Sequence, residues 1–291
     1  GAINLLLYSV FRIGDATNNV SWETYMDIAR RSDVAWAVPI SLGDSHRGFR
    51  VLGTSAAYFD HYKTGNLKPL EIGQGRRFAG LFEVVIGADV AEGLNYSLGQ
   101  EVVISHGVGS VSFSDHSNLP FVVVGILERT GTPVDHTLHV TLESIEAIHV
   151  GWEAGAAPRS GDQHSVEDVS QMSLRPATVT AVFLGLTSRI AVLKAQRDLN
   201  GYKAEALTAI IPGIALAQMW RVIGVVEIAL TAIAVFVVIT GLFGLMTNIL
   251  TSLNERRREM AILRSIGARV GDIVLLLLLE AGLLAGIGAV S

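Results

Sequence analysis

"VIGVVEIALTAIAVFVVITGLFGLMTNIL", Val222 to Leu250, is a run of 29 residues with one charge, Glu227. A membrane-spanning helix needs only about 20 apolar residues. At 1.5 Å per residue this run makes about 43 Å of helix against a hydrocarbon core of about 30 Å, so the helix is expected to outreach the membrane. Counting about 20 residues back from Leu250 places the outer boundary near Thr231. Arg221, Val226 and Glu227 then stand outside the hydrocarbon, on a helical stalk. Pro212 is well placed to open that stalk, because proline is tolerated in a first helical turn.

Composition differs on the two sides of this run. Half of all residues are hydrophobic, 17% are charged and the mean hydropathy is +0.44, which suits neither an ordinary soluble enzyme nor a chain that is membrane throughout. Residues 1–220 hold 16 Lys+Arg against 22 Asp+Glu, whereas 221–291 hold 6 against 5. The first part reads as an acidic globular region and the second as a membrane region. A strongly basic face is absent, which argues against a nucleic-acid partner. The absence of cysteine excludes disulfides, thiol catalysis and Cys-type zinc sites. The opening "GAINLLLYSVFRIGD" lacks the basic start of a secretory signal. A second apolar run, "IVLLLLLEAGLLAGIGAVS", begins at Ile273 and stops at Ser291, barely one span later. The sequence is therefore expected to be a fragment lacking a C-terminal part.

Between the apolar runs lies "TSLNERRREMAILRSIGARVGD", Thr251 to Asp272, with five arginines and three acids. Short loops rich in Lys and Arg stay in the cytoplasm, which places residues 1–220 outside. Ser252 and Glu255 stand at capping-box spacing, Leu253, Met260, Ile262, Leu263 and Ile266 recur at roughly helical intervals, and Gly267 suits a terminator. The expectation is a short amphipathic helix that lies on the membrane surface or is gripped by a cytoplasmic partner. Glu280, inside the second apolar run, is costly in lipid and is expected to face protein, protonated or hydrogen-bonded.

The first 211 residues alternate short β-branched strands (Val102–Ser105, Phe121–Leu127, Leu138–Thr141, Thr178–Leu184) with short helices (Trp22–Arg31, Ser188–Leu199). They predict an α+β domain with a linker at Gly151–Ser165, followed by a stalk and membrane helix (212–250), a cytoplasmic helix and loop (251–271) and the start of a further span (272–291). No catalytic or metal site is assigned. His136 and His139 in "VDHTLH" sit three apart, and such residues on a strand point to opposite faces. His106, His116, His149 and His164 add no ligand pair at a convincing spacing. Ser114, Asp115 and His116 lack the strand-to-helix elbow of a nucleophile site. Gly131 and Pro133 in "ERTGTPVDHT" serve a functional loop or an ordinary turn.

"ERRREMAILRSIGA", followed by a span bearing "LLLEAGLLAGIGA", resembles the permeases of the MacB/FtsX family. Glu255, Arg256, Glu259, Met260, Leu263, Arg264, Ile266, Gly267, Ala268 and Glu280 each match a position of that family's pattern. "VVIGADVAEGLNYSLGQEVVIS" (Val84–Ser105) and "FVVVGILERTGTPVDHTLHVTLESIEAI" (Phe121–Ile148) resemble its extracytoplasmic core, with Gln100 where the family often has Asp. The resemblance implies an α+β, MacB-like periplasmic core followed by transmembrane helices in the bacterial cytoplasmic (inner) membrane. It implies a permease subunit that grips a separate or fused ABC-type ATPase through Glu255, Arg256, Glu259, Met260, Leu263, Arg264 and Gly267. It further implies pairing with a second permease copy and motion passed outward through the stalk for export or extraction of a substrate. An extracytoplasmic adaptor, lipoprotein or hydrolase is a candidate outer partner, and membrane lipid is the surrounding solvent. The alternative is a regulatory module that works the same lever to activate a cell-wall hydrolase or sense a peptide. The chain has no Gly-x-x-x-x-Gly-Lys-(Ser/Thr), so it is expected to be no enzyme and to bind no cofactor, with ATP and magnesium held by the partner.

Overall fold

The computed structural model describes residues 1–14, 18–106, 119–150 and 166–290. The chain divides into two compact units, Gly1–Met219 and Trp220–Ser291. In chain order the first unit holds α1 (Ala2–Ser9), β1 (Val20–Ser21), α2 (Trp22–Ala29), β2 (Val34–His46), β3 (Phe49–Thr54), α3 (Ala57–His61), β4 (Ile72–Gly75) and β5 (Glu83–Ile86). There follow α4 (Ala88–Leu94), β6 (Glu101–Val102), β7 (Ser105–His106), β8 (Phe121–Leu127), β9 (Thr137–Thr141), α5 (Leu142–His149), α6 (Val166–Ser170), β10 (Thr178–Val179), β11 (Ala181–Leu186) and α7 (Ala191–Asn200).

A mixed sheet organises this unit, in the order β11-β2-β3-β9-β5-β8-β4, with β6 added to β8 and β7 to β2. The β3–β9 and β5–β8 pairs are parallel. Side chains alternate across a strand, and here each face meets its own core. Val84 and Ile86 of β5 join one cluster while Val85, between them, joins the other. Val51 and Leu52 of β3 part in the same way. The helix α5 covers the first face with Ile145, Ala147 and Ile148, and α3 covers the second with Tyr58 and Phe59. Each fully buried aliphatic side chain contributes about 1.5–3 kcal/mol, so a sheet buried on both faces is the main source of stability.

Local chemistry fixes where the elements begin. The hydroxyl of Thr141 accepts from the Ser144 backbone N–H at 3.1 Å and starts α5. The Ser21 hydroxyl likewise accepts from Thr24 N–H at 3.2 Å to start α2. Gly87 leads into α4, and a Cβ there would lie 2.3 Å from the carbonyl oxygens of both Val134 and Asp135. Only glycine lets these backbones meet.

Two expected strands are each broken in the structure. Val102–Ser105 is not continuous: β6 ends at Val102 and β7 begins at Ser105. The Val103 carbonyl accepts from the His46 ring at 2.6 Å instead of from a strand, and Ile104 is fully buried in the core. Thr178–Leu184 is split at Thr180, whose N–H donates to Ile40 O at 2.8 Å while its hydroxyl accepts from Leu42 N–H at 2.9 Å. That switch sends β10 to β1 and β11 to β2. Phe121–Leu127 is β8 as expected, and the linker Gly151–Ser165 lies outside the described residues.

His139 of β9 is fully buried, with Nδ1 3.2 Å from Val85 O and its ring packed on Tyr58 and Phe59. Burial, aided by the Arg12 charge, pushes its pKa down to about 3. Between that value and the ordinary value near 6.5 the unfolded chain binds a proton that the folded chain does not, so stability falls as pH drops below about 6.5. One such proton amounts to about 2 kcal/mol at pH 5. We expect the His139→Gln variant to show a shallower loss of thermal stability than the wild type between pH 7 and pH 5.

The second unit is helical. The helix α8 (Pro212–Glu255) has 44 residues and its first turns lie in the first unit; α9 (Arg257–Ser265) and α10 (Val270–Val290) follow. Within α8, Pro212–Ser252 has a mean hydropathy of 2.8 over its most apolar window, none of it buried by protein. Thr231, Thr240, Thr247 and Thr251 each donate their hydroxyl to the carbonyl four residues back at 2.9 Å. These polar side chains thus need no partner from lipid.

Candidate coupling site

The site is the turn that joins α8, α9 and α10. The expected capping box is not formed. Ser252 and Glu255 lie inside α8, which runs on without interruption to Glu255. The break falls at Arg256, with φ −91° and ψ 14° and no side-chain cap. A helix already turning has its N–H groups satisfied from the preceding residues, so Ser252 has no orphan donor to cap. Arg256 N–H indeed donates to Ser252 O at 3.0 Å.

Gly267 terminates α9 as expected, at a φ of +106°. Its N–H donates to Arg264 O at 3.2 Å and that of Ala268 donates to Leu263 O at 3.0 Å, the paired bonds of a Schellman ending. The next helix starts at once. Arg269 N–H donates to the Asp272 carboxylate at 2.9 Å, so the acid both caps α10 and faces its positive end. No residue of α9 is buried: Ile262, Leu263 and Ile266 are exposed beside Arg257, Arg258, Glu259 and Arg264, and Met260 is half-buried.

Arg256 Nη1 donates to Glu280 Oε2 at 3.1 Å. Sequence reasoning assigns Arg256 to the ATPase contact and Glu280 to a protonated or hydrogen-bonded packing role, and it does not pair them. In the structure they form an ion pair across 24 residues, with side chains 47% and 42% exposed in the absence of lipid. Seven apolar residues, Ile273 to Leu279, precede Glu280 in α10. They set it about 10 Å deeper than the start of that run. Charges at such depth are costly unless matched, and this pair matches them.

At its other end α8 is rooted by residues that carry no family signature. Ala209 N–H donates to Asn200 Oδ1 at 2.7 Å, and Gln196 Nε2 donates to Ala209 O at 3.1 Å. The segment before Pro212 is thereby clamped to α7, and Ala215 of the first helical turn is buried. The two amides at i and i+4 on α7 were the available sequence signal. Arg221, Val226 and Glu227 are exposed along α8.

The remaining candidates resolve into structural roles. Asp135, 1% exposed, accepts from the N–H groups of Thr130 and Gly131 at 2.9 and 2.7 Å, so "ERTGTPVDHT" is a turn held by its own carboxylate. His136 lies 3.1 Å from Asp89 on the surface, whereas His139 is in the core. Among the described residues no three His, Asp or Glu side chains converge as for a metal ion. His116, His164 and the Ser114–Asp115–His116 group lie outside the described residues, as does the side chain of His106.

Residues 3–178 match the model of the MacB-like periplasmic core domain, well over half of the chain. The chain belongs to the MacB/FtsX-like permease family. Residues 231–291, which include the turn that joins α8, α9 and α10, match the FtsX-like permease C-terminal model. Permeases of this family are membrane-embedded with an extracellular domain and work with ABC-type ATPase partners. Two solved structures are similar to the first unit. The extracellular domain of the noncanonic ABC-type transporter YknZ from Gram-positive bacteria is 16% identical, covering 70% of this chain and 94% of that one at a TM-score of 0.40. The periplasmic region of MacB from Actinobacillus actinomycetemcomitans is 12% identical, with 72% and 86% covered and a TM-score of 0.44. No curated protein matches the chain.

The ion pair makes a defined prediction for this MacB/FtsX-like permease. Arg256→Glu and Glu280→Arg should each leave like charges facing one another, and each should lower partner ATPase stimulation at least fivefold. The double exchange should recover at least half of the wild-type value. A double variant no better than either single one would show that the pair does not support the turn.

Proposed function

We propose that this chain is the lever subunit of an ABC transporter: α9 receives the motion of a partner ATPase and α8 carries it to the extracytoplasmic domain, for export or extraction of a substrate. The observation that carries this reading is the length and continuity of α8. Its 44 residues span about 66 Å, roughly twice the hydrocarbon core. A helix that served only as an anchor would need half of that. Its inner end leads, after one non-helical residue, into a helix none of whose residues is buried, with Ile262 and Leu263 exposed, as a surface held for a partner would be.

In this reading Glu255, Glu259, Met260, Leu263 and Arg264 form the grip on the ATPase, and α10 re-enters the membrane as the next span. The arginines keep the turn cytoplasmic, and residues 1–220 stand on the outer side of the bacterial inner membrane. The sequence holds no Gly-x-x-x-x-Gly-Lys-(Ser/Thr), and in this reading the nucleotide and its magnesium belong to the partner. A second permease copy completes the assembly.

Two experiments test the two ends of the lever. Leu263→Asp or Glu255→Arg, made in the membrane-inserted permease, should reduce ATPase co-purification at least tenfold while leaving insertion intact. Undiminished co-purification in both would reduce α9 to a topology signal. Val226→Pro removes a helical hydrogen bond and costs about 3 kcal/mol locally, and should uncouple ATP turnover from transport in an assembled complex. Val226→Ala keeps the helix and should be mild. A fully coupled proline variant would show that α8 transmits nothing.

A further inference from the structure

We infer that the extracytoplasmic unit carries a binding cavity for a single-chain amphiphile with an anionic head group. A cavity of about 530 Å³ opens between α1, the sheet edge at β11 and the segment 206–212 that roots α8. Its size falls within the range of small-molecule sites. The wall is aromatic: Tyr8, Trp36, Tyr58, Tyr62 and Phe183 face it. Trp36 is set flat against the His61 ring, with centroids 4.6 Å apart and planes 5° from parallel. Gly185 makes room for that indole on its other side, since a Cβ there would lie 2.1 Å from Trp36 atoms. The main aromatic surface of the cavity is thus held in place before any ligand arrives, which lowers the ordering cost of binding.

Charge decides the kind of head group. Among the described residues that line the cavity there is no aspartate or glutamate, and exposed Lys63 stands on its rim. Behind the wall lies Arg12, only 9% exposed, with no carboxylate partner among the described residues. Its Nη2 donates to the hydroxyl of the lining residue Tyr58 at 3.4 Å, Nη1 donates to Ser9 O, and Nε has no partner. Its backbone φ of 61° is unusual for a non-glycine residue. A buried cation with no ion-pair partner among the described residues makes the cavity more attractive to an anion than to a cation. The apolar and aromatic wall then takes a hydrocarbon chain.

The site also touches α8 at its first residue, because Pro212 lines the cavity. Occupancy would therefore bear on the root of the helix, whichever way force travels along it. Binding itself is independent of the lever reading and is scored without an ATPase present.

The test uses the full chain in nanodiscs of neutral phosphatidylcholine and a diazirine-bearing dodecanoate as photoaffinity probe, with adducts mapped by peptide mass spectrometry. Labelling should concentrate in residues 1–10, 58–63 and 206–212. Unlabelled dodecanoate should suppress it at least fivefold, and dodecyltrimethylammonium at the same concentration by less than twofold. Ala206 is an exposed wall residue, so Ala206→Phe should fill the cavity and abolish the labelling at an unchanged thermal midpoint. Lys63→Glu should weaken competition by dodecanoate several-fold. Equal competition by the two amphiphiles, or labelling that persists in both variants, would overturn the inference.

Discussion

A backbone N–H or C=O left unpaired in hydrocarbon costs several kcal/mol, and this requirement governs the C-terminal quarter of the molecule. It forces Val222–Leu250 to be helical whatever its local propensities, and that stretch is rich in valine, isoleucine and threonine, residues of modest helix preference. It also explains why the helix overruns both ends of the apolar stretch. Once nucleated, each further residue adds one bond, so α8 extends from Pro212 to Glu255 with no break where lipid gives way to water. The four threonines that return their hydroxyls to the preceding turn obey the same rule.

The rule also accounts for the turn that joins α8, α9 and α10. A helix can stop only where its last carbonyls and the next helix's first N–H groups find partners. Arg256 offers a single-residue break, Gly267 a Schellman ending and Asp272 a cap, so three helices are joined with almost no irregular chain. The ion pair between Arg256 and Glu280 ties the turn's first residue to the third helix.

How far this was legible in the sequence varied with the range of the interactions. The long apolar run, β8 and the glycine stop at Gly267 were readable because periodicity and turn chemistry decide them locally. The dense "ERRREMAILRSIGA" string also carried the family correctly. Strands at Val102–Ser105 and Thr178–Leu184 were misread because His46 and the Ile40–Leu42 backbone, distant in sequence, claim Val103 and Thr180. The Ser252–Glu255 pair has the spacing of a cap, but capping matters only where a helix begins, and here one was already under way. The link between Arg256 and Glu280 was invisible, since nothing local to either residue specifies a partner 24 positions away.

The sheet's connectivity has a consequence for how the molecule is made. The parallel β3–β9 pair sets Arg50 beside Thr137, and the edge pair β2–β11 sets Ile40 beside Ala181. Contacts between such remote positions form late and slowly. Neither strand β2 nor the core beneath it can close until Ala181 has emerged on the side where the domain will reside. By then the segment that becomes α8 is only about 30 residues behind in synthesis. At the usual elongation rates this is a matter of seconds. A domain delivered outward during its synthesis is therefore an open chain until Ala181 has crossed, with its β-strand edges exposed in the interval. This makes the domain dependent on protection against aggregation during its own export.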